Sequence, residues 1–191
     1  MTLFDIFFLA LALAMDCFTV SIAGGMMVGR WQPFVFLRMA LLFGLFQAAM
    51  PLLGWLLCSY FARYIEAYDH WVAFGLLLFL GGRMVLSSFR PEEAPRSFNP
   101  RRLTTQLTLA VATSIDALAV GITFAAMGYN GIAPLLLPLF VIGIMSFLLS
   151  VAGSLLGVRF GVAVSRMIKP ELLGGLILIA IGVKVLLSHL L

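Results

Sequence analysis

The chain has 191 residues, of which 63% are hydrophobic and only 10% are charged, and its mean hydropathy is +1.13. A soluble domain cannot bury that much apolar surface, so the composition predicts a membrane protein that crosses the bilayer several times. The net charge of +4 is spread over several short loops. This pattern is typical of residues that set membrane orientation, and it argues against nucleic-acid binding.

The first predicted span covers about residues 3–28 and carries Asp16 near its middle. The N-terminus before it lacks the positive charge of a cleaved signal peptide, so we expect this helix to be retained. An Asp at the centre of a span costs about 2.5–3.5 kcal/mol on insertion scales, and such residues usually mark an ion or substrate path. Cys17 points to another face of the helix and shares no disulfide framework with Cys58, so we interpret it as a packing residue.

The second predicted span, about residues 34–61, contains Arg38, Gln47 and Pro51. Arg38 lies close enough to the helix start to extend toward the interface. Gln47 lies at mid-depth, where an amide serves either to join two helices or to bind a ligand. Pro51 follows one turn later, and carbonyls that a proline frees can be satisfied by water or by a ligand.

A third span is predicted at about residues 71–89. It contains Arg83, which is placed either to reach the interface or to pair with a buried carboxylate. His70 precedes the span without a second ligand at metal-binding spacing, so we do not predict a metal role for it. The polar segment 91–102 then contains three prolines and predicts a loop that divides the chain almost in half.

Three further spans are predicted in the second half, at about residues 103–127, 132–158 and 171–191. The first of them carries Asp116 with Thr113 on the same face, and the next carries Ser146. The segment around Asp116 repeats the segment around Asp16, since residues 112–122 match residues 12–22. The repeat also pairs Gln47 with Ser146. We therefore predict two three-helix units, residues 1–90 and 103–191, joined by the loop 91–102.

The orientation of the spans follows from the basic residues in the loops. The predicted loops on one side of the membrane contain only Arg63. The predicted loops on the other side contain eight basic residues: Arg30, Arg90, Arg96, Arg101, Arg102, Arg159, Arg166 and Lys169. The positive-inside rule places the eight in the cytoplasm and both termini outside. Because each unit has an odd number of spans, the second unit is inverted relative to the first. The sequence thus predicts an all-α membrane protein with six transmembrane helices arranged as two inverted three-helix repeats, a plan in which binding sites lie near the midplane.

Several segments together resemble one family, the small manganese efflux pumps of the MntP type within the LysE-like transporter group. They are Met15-Asp16, the segment 112–117, His70-Trp71, the segment 79–84 and the segment 171–176. The resemblance covers essentially the whole chain. It implies a six-helix exporter of Mn²⁺ in the bacterial inner membrane, with the paired Asp residues central to transport. Similar proteins can carry Glu in the second span where this chain has Gln47.

The candidate ligands suit a divalent cation as transported substrate, with no resident cofactor. Mn²⁺ prefers carboxylate, carbonyl and water oxygens in octahedral geometry. Asp16 and Asp116 would neutralise its charge, and neutral oxygens are offered by Gln47, Thr113 and Ser146. The predicted spans lack a Cys cluster and contain no His except His189 in the last turn of the sixth, which argues against a dedicated Zn²⁺ or Cu⁺ site.

Other functions stay open at this point. Two nearby carboxylates would repel each other without metal, so a proton could replace the departing cation, although simple uniport uses the same residues. The substrate could also be another divalent cation, or an amino acid as in LysE-type exporters. A membrane scaffold would not need two central carboxylates. An enzyme is not predicted, because no nucleophile–base pair or metalloprotease motif occurs.

Overall fold

The computed structural model describes residues 2–61, 99–129 and 131–167, together with individual helical residues between 74 and 86 and between 176 and 183. The described part is helical, without strands, and forms four long helices: α1 (Leu3–Val28), α2 (Pro33–Phe61), α3 (Leu103–Ala126) and α4 (Ala133–Met167). Each is long and apolar enough to cross a membrane. For the described residues, the prediction of an all-helical protein with helices suited to span a membrane is thus confirmed. The predicted third and sixth spans lie largely outside the described residues, and His70 and Arg83 lie outside them entirely.

Helix α1 begins and ends at the predicted positions because both of its ends are capped. The Thr2 backbone N–H donates to Asp5 Oδ2 at 2.8 Å, and the Asp5 N–H donates to Thr2 Oγ1 at 3.3 Å. This capping box satisfies donors that the first helical turn leaves free. At the other end Gly29 adopts a left-handed conformation (φ 67°), and its N–H donates to the Gly25 carbonyl.

Helix α4 is longer than the predicted fifth span, which ends near residue 158, because the helix continues to Met167. Arg159 and Arg166 therefore lie in the helix rather than in the connection that follows it. The reason is local, since residues 159–167 contain a single glycine and no proline before Pro170. Nothing in that stretch stops a helix once the preceding turns have formed.

The helices pair across the two halves of the sequence. Helix α1 packs along α4 and α2 packs along α3, whereas the sequence neighbours α1 and α2 share few contacts. Small residues allow this close approach. A Cβ atom added to Gly153 of α4 would lie 2.6 Å from the Phe18 carbonyl oxygen of α1, and one added to Gly54 of α2 would clash with the Leu118 carbonyl of α3.

Two apolar clusters fill the space between these helices. The Phe124 cluster includes Leu9, Leu13, Met15, Trp55, Phe124, Leu135 and Ile142. The Phe43 cluster includes Cys17, Phe36, Met39, Phe43 and Ala110. Along α1 the Phe124 cluster ends at Met15 and the Phe43 cluster begins at Cys17. The clusters therefore occupy opposite halves of the bundle and meet at the level of Asp16.

One end of the bundle, here called the arginine end, carries Arg30, Arg38 and Arg101. The half-buried Arg38 donates from Nε to Gln106 Oε1 at 2.8 Å and from its guanidinium to the Arg101 carbonyl at 2.9 Å. Gln106 in turn donates to the carbonyls of Val35 and Pro100. These contacts join the start of α2 to the start of α3 and place both at the arginine end.

The opposite end joins α2 to the residues that follow α3. Trp55 Nε1 donates to the Tyr129 carbonyl at 2.8 Å, and the Tyr129 ring lies 5.3 Å from the Phe124 ring. Burial raises the pKa of the Tyr129 hydroxyl, and the negative charge of Asp5 raises it further. The start of α1 therefore lies at this end, beside the C-terminal end of α3.

Candidate cation site

The five predicted ligands all lie between the two apolar clusters. On α2 Phe46 packs against the Phe43 cluster and Met50 against the Phe124 cluster, with Gln47 between them. On α3 the same boundary falls between Ala110 and Ala117. On α4 the boundary falls between Met145, which packs against the Phe124 cluster, and Val158, which packs against the Phe43 cluster. The residues between the clusters are Asp16 on α1, Gln47 on α2, Thr113 and Asp116 on α3, and Ser146 on α4. The sequence positions thus form a polar layer with apolar packing on either side.

Gln47 joins the two helices that carry the Asp residues. Its Nε2 donates to the Leu13 carbonyl of α1 and to the Thr113 carbonyl of α3, at 3.2 Å in each case. Carbonyl oxygens only accept hydrogen bonds, so these two contacts fix which end of the amide faces them. Each carbonyl belongs to the residue three positions before an Asp, Asp16 on one helix and Asp116 on the other.

The other end of the Gln47 amide has unused capacity. The side chain is fully buried, and among the described residues no group donates to its Oε1 atom. Ser146 is also fully buried, and its Oγ likewise has no partner within the described part of the chain. Buried polar atoms almost always have partners, so two unpaired oxygens in one polar layer are notable features of a site.

Cys17 contacts this layer directly. Its Sγ lies 3.4 Å from Gln47 Nε2 and 3.8 Å from Thr113 Oγ1. The Thr113 hydroxyl itself donates to the carbonyls of Leu109 and Ala110 in its own helix. The sequence predicts a packing role for Cys17, which does not share the face of Asp16, and its place in the Phe43 cluster confirms that role. The thiol meets Gln47 because a third helix, α2, approaches on that side.

The two Asp residues lie on the more enclosed helices. In the most apolar stretches of α1 and α3, 61% and 56% of the residues are buried, compared with 33% in those of α2 and α4. Asp116 is 4% exposed and Asp16 is half-buried. No group of three His, Cys, Asp or Glu side chains occurs in the described residues. A cation in this layer would therefore combine few carboxylates with neutral oxygens.

Comparison with known families adds an independent observation. Residues 30–186 match the family model described as "Putative manganese efflux pump". The chain belongs to this family. The match covers both halves of the sequence and includes Gln47, Asp116 and Ser146.

Individual relatives agree with the family match over almost the full chain. A protein of Bacteroides fragilis is 52% identical and one of Bacteroides thetaiotaomicron is 50% identical, each over 100% of this chain and 98% of the relative. A protein of the more distant Methanosarcina mazei is 44% identical over 96% of this chain and 95% of the relative. All three are named "Putative manganese efflux pump MntP". No solved structure matches the chain.

Proposed function

We propose that this chain exports Mn²⁺ across a membrane and binds the cation at mid-depth between Asp16 and Asp116. The observation that carries the proposal is the position of Gln47. Its amide nitrogen ties the two Asp-bearing helices together, while its buried Oε1 is without a donor among the described residues. An acceptor oxygen in this state is suited to a cation. The names of the relatives favour manganese as that cation.

The ligand set has the chemistry that Mn²⁺ prefers. The two carboxylates of Asp16 and Asp116 would balance the double charge of the ion, which is the largest cost of holding it in a medium of low dielectric constant. Gln47 Oε1, Ser146 Oγ and the Thr113 hydroxyl would supply neutral oxygens, and water or backbone carbonyls would complete an octahedral shell.

The proposed architecture is six spans arranged as two inverted repeats, residues 1–90 and 103–191, joined by a cytoplasmic loop at 91–102. Matching contacts support it. Gly54 packs against the Leu118 carbonyl, and Gly153 packs against the Phe18 carbonyl. The repeat pairs Gly54 with Gly153 and Phe18 with Leu118. A single two-fold relation would generate both contacts, as expected for a transporter that works by alternating access.

The cellular setting and the ion coupling are also part of the proposal. We place the protein in the inner membrane with both termini outside the cytoplasm, because the basic loops favour that orientation. A proton taken up by one Asp would relieve the repulsion between the carboxylates once the metal leaves. The hypothesis is cation/proton exchange. Manganese transport by purified protein in vesicles that moves no protons would exclude it in favour of uniport.

The decisive experiment measures cellular metal with and without expression of the chain. A host that lacks its own manganese exporter should regain manganese tolerance, and its manganese content should fall at matched external concentration. The same cells are tested in parallel with Fe²⁺, Cd²⁺, Mg²⁺ and basic amino acids. Rescue limited to another cation would reassign the substrate, and export of amino acids without any metal effect would overturn the proposal.

A further inference from the structure

A row of serines lies along the contact between α1 and α4. Ser146, Ser150 and Ser154 follow one another at intervals of four residues, so they share one face of α4. All three are fully buried. Ser21 of α1 meets this row, since its Oγ lies 2.6 Å from Ser150 Oγ. We call these four residues the serine seam.

The seam begins in the polar layer and extends toward the arginine end. Ser146 lies at the level of the proposed ligands, and Ser154 lies about 12 Å farther along α4 at 1.5 Å per residue. The Ser154 end of the seam lies beside Gly25 of α1, because a Cβ atom on Gly25 would lie 2.5 Å from the Ser154 carbonyl oxygen and 2.9 Å from Val158 N. Gly25 is in the last turn of α1, at the arginine end.

Two hydroxyls of the seam have unused hydrogen-bonding capacity. Ser146 Oγ and Ser154 Oγ are both buried and have no partner among the described residues. A serine in a helix commonly donates to the carbonyl four residues earlier, as Ser114 does to Ala110 at 2.6 Å. Simple packing does not need an unpaired hydroxyl on each side of the Ser21–Ser150 pair. A cation that prefers oxygen ligands would bind to the hydroxyls of both Ser146 and Ser154.

The corresponding contact in the other half has a different character. The repeat pairs Ser150 with Pro51 and Ser154 with Trp55, and both of these lie on α2 where it packs along α3. Pro51 offers no side-chain oxygen, and Trp55 closes the contact by donating to the Tyr129 carbonyl. One of the two equivalent contacts is therefore lined by hydroxyls, and the other is filled by apolar side chains.

We propose that the serine seam is the route by which the cation passes between the mid-membrane site and the arginine end. The inference rests on the proposed function and adds the path to it. Hydroxyl oxygens replace part of the hydration shell of a divalent cation as it moves, in the way that pore-lining oxygens do in channels. The route is closed in this structure, because the backbones of α1 and α4 touch at Gly25, Gly153 and Gly157. Passage requires α4 to move away from α1.

The first test separates transport from stability. Ser154→Ala removes a hydroxyl that has no partner in the described part of the chain, so the melting temperature of the purified protein should stay equal or rise. The initial rate of Mn²⁺ transport in proteoliposomes should fall about fivefold, as expected when one oxygen contact to the ion is lost at the barrier. A packing role predicts the reverse, lower stability with an unchanged rate, and that result would overturn the proposal.

Thr108→Val is the matched control. Thr108 lies on α3 eight residues before Asp116, just as Ser154 lies eight residues after Ser146, and it is exposed. Its hydroxyl donates to the Thr104 carbonyl at 3.0 Å within the same helix. This variant should transport Mn²⁺ at the wild-type rate. An equal loss of rate in both variants would show that the effect is not specific to the seam and would also overturn the proposal.

The second test asks from which side the seam opens. Ser154→Cys is made in a Cys58→Ala background. The protein is treated with a membrane-impermeant thiol reagent from each side of the membrane in turn. The Cys58→Ala protein without Ser154→Cys measures any reaction of the buried Cys17. The thiol should react from the side of the arginine end in the absence of metal, and saturating Mn²⁺ should slow that reaction. The neighbouring Leu155, 47% exposed on the outer face of α4, serves as the Leu155→Cys control and should not react. Labelling of Ser154→Cys from the other side only, or from neither, would contradict the route.

Different results would contradict Mn²⁺ export and the serine seam as its path. If wild-type protein moves no Mn²⁺ in proteoliposomes, the proposed function is wrong. If wild-type protein transports Mn²⁺ and Ser154→Ala transports it equally fast, the function stands and the serine seam is not the path.

Discussion

Gly44 and Gly143 face each other where α2 crosses α4. A Cβ atom on Gly44 would lie 2.8 Å from the Gly143 carbonyl oxygen, and one on Gly143 would lie 3.1 Å from the Gly44 carbonyl oxygen. The contact is reciprocal, and the internal repeat of the sequence pairs these two glycines with each other. The crossing therefore brings corresponding positions of the two halves together one turn from Gln47 and Ser146.

Gly44→Ala should destabilise the bundle. The added methyl group meets a backbone carbonyl that cannot rotate away, so α2 and α4 must separate, at a cost of about 1–3 kcal/mol. Thermal unfolding of the purified protein in one detergent would measure this. Gly75→Ala is the control, because a Cβ atom there has no atom of the described structure within 4 Å. The control should be neutral or more stable by about 0.5–1 kcal/mol. Equal stability of the two variants would contradict the close crossing.

Asp16→Asn and Asp116→Asn should each abolish manganese protection while the protein still inserts. Asn keeps the size and one carbonyl oxygen but removes a charge, which leaves the dication under-neutralised. We expect the transport rate to fall at least about tenfold, the effect of losing one contact to a charged group. Folding can even improve, since a buried charge is removed.

The double Asp variant tests whether the two residues act as one site. If they bind the same cation, the double variant should be little worse than either single variant. Manganese tolerance and cellular manganese are compared at matched protein levels in the membrane. Wild-type export by either single variant would remove the pair from the transport site.

Gln47→Glu and Gln47→Leu should have different effects. Glu adds a charge next to the Asp residues, so the preference among divalent metals or the pH dependence of transport should shift. Leu removes the two hydrogen bonds to Leu13 and Thr113, which should lower stability by about 1–2 kcal/mol, and it also removes the Oε1 ligand. Transport is measured per folded protein with a series of metals. If Gln47 only joins helices, the selectivity of the remaining Gln47→Leu protein will be unchanged.

Reporter fusions test the orientation. After Leu191, a reporter that works only outside the cytoplasm should be active. Inserted in residues 91–102, a reporter that works only in the cytoplasm should be active. The reason is the bias of basic residues toward one side, where six lie in the predicted loops and Arg159 and Arg166 lie in the C-terminal part of α4, against Arg63 alone on the other side. The reverse pattern would overturn the proposed inverted repeats, whereas the contacts among α1 to α4 would still stand.

The sequence by itself determined the class of protein, the bounds of α1, and the positions of the polar side chains along α1 to α4. These are local properties, because hydropathy, caps and glycine stops act within a few residues. The internal repeat of the sequence also aligns Asp16 with Asp116 and Gln47 with Ser146, without any knowledge of contacts. The length of α4 was underestimated, since charge at Arg159 suggested an end where no residue breaks the helix.

Only the tertiary structure decided which helices meet and which side chains share a layer. The pairing of α1 with α4 and of α2 with α3 depends on small residues that contact backbone far away in the sequence, as Gly54 contacts Leu118 and Gly153 contacts Phe18, and no local pattern predicts such a contact. The place of Cys17 in the Phe43 cluster confirms it as a packing residue, but for the same reason the sequence does not predict that α2 brings the Gln47 amide against its thiol. The oxygens of Gln47, Ser146 and Ser154, which have no partner among the described residues, are evident only from the packed helices, because an unsatisfied atom is defined by what surrounds it.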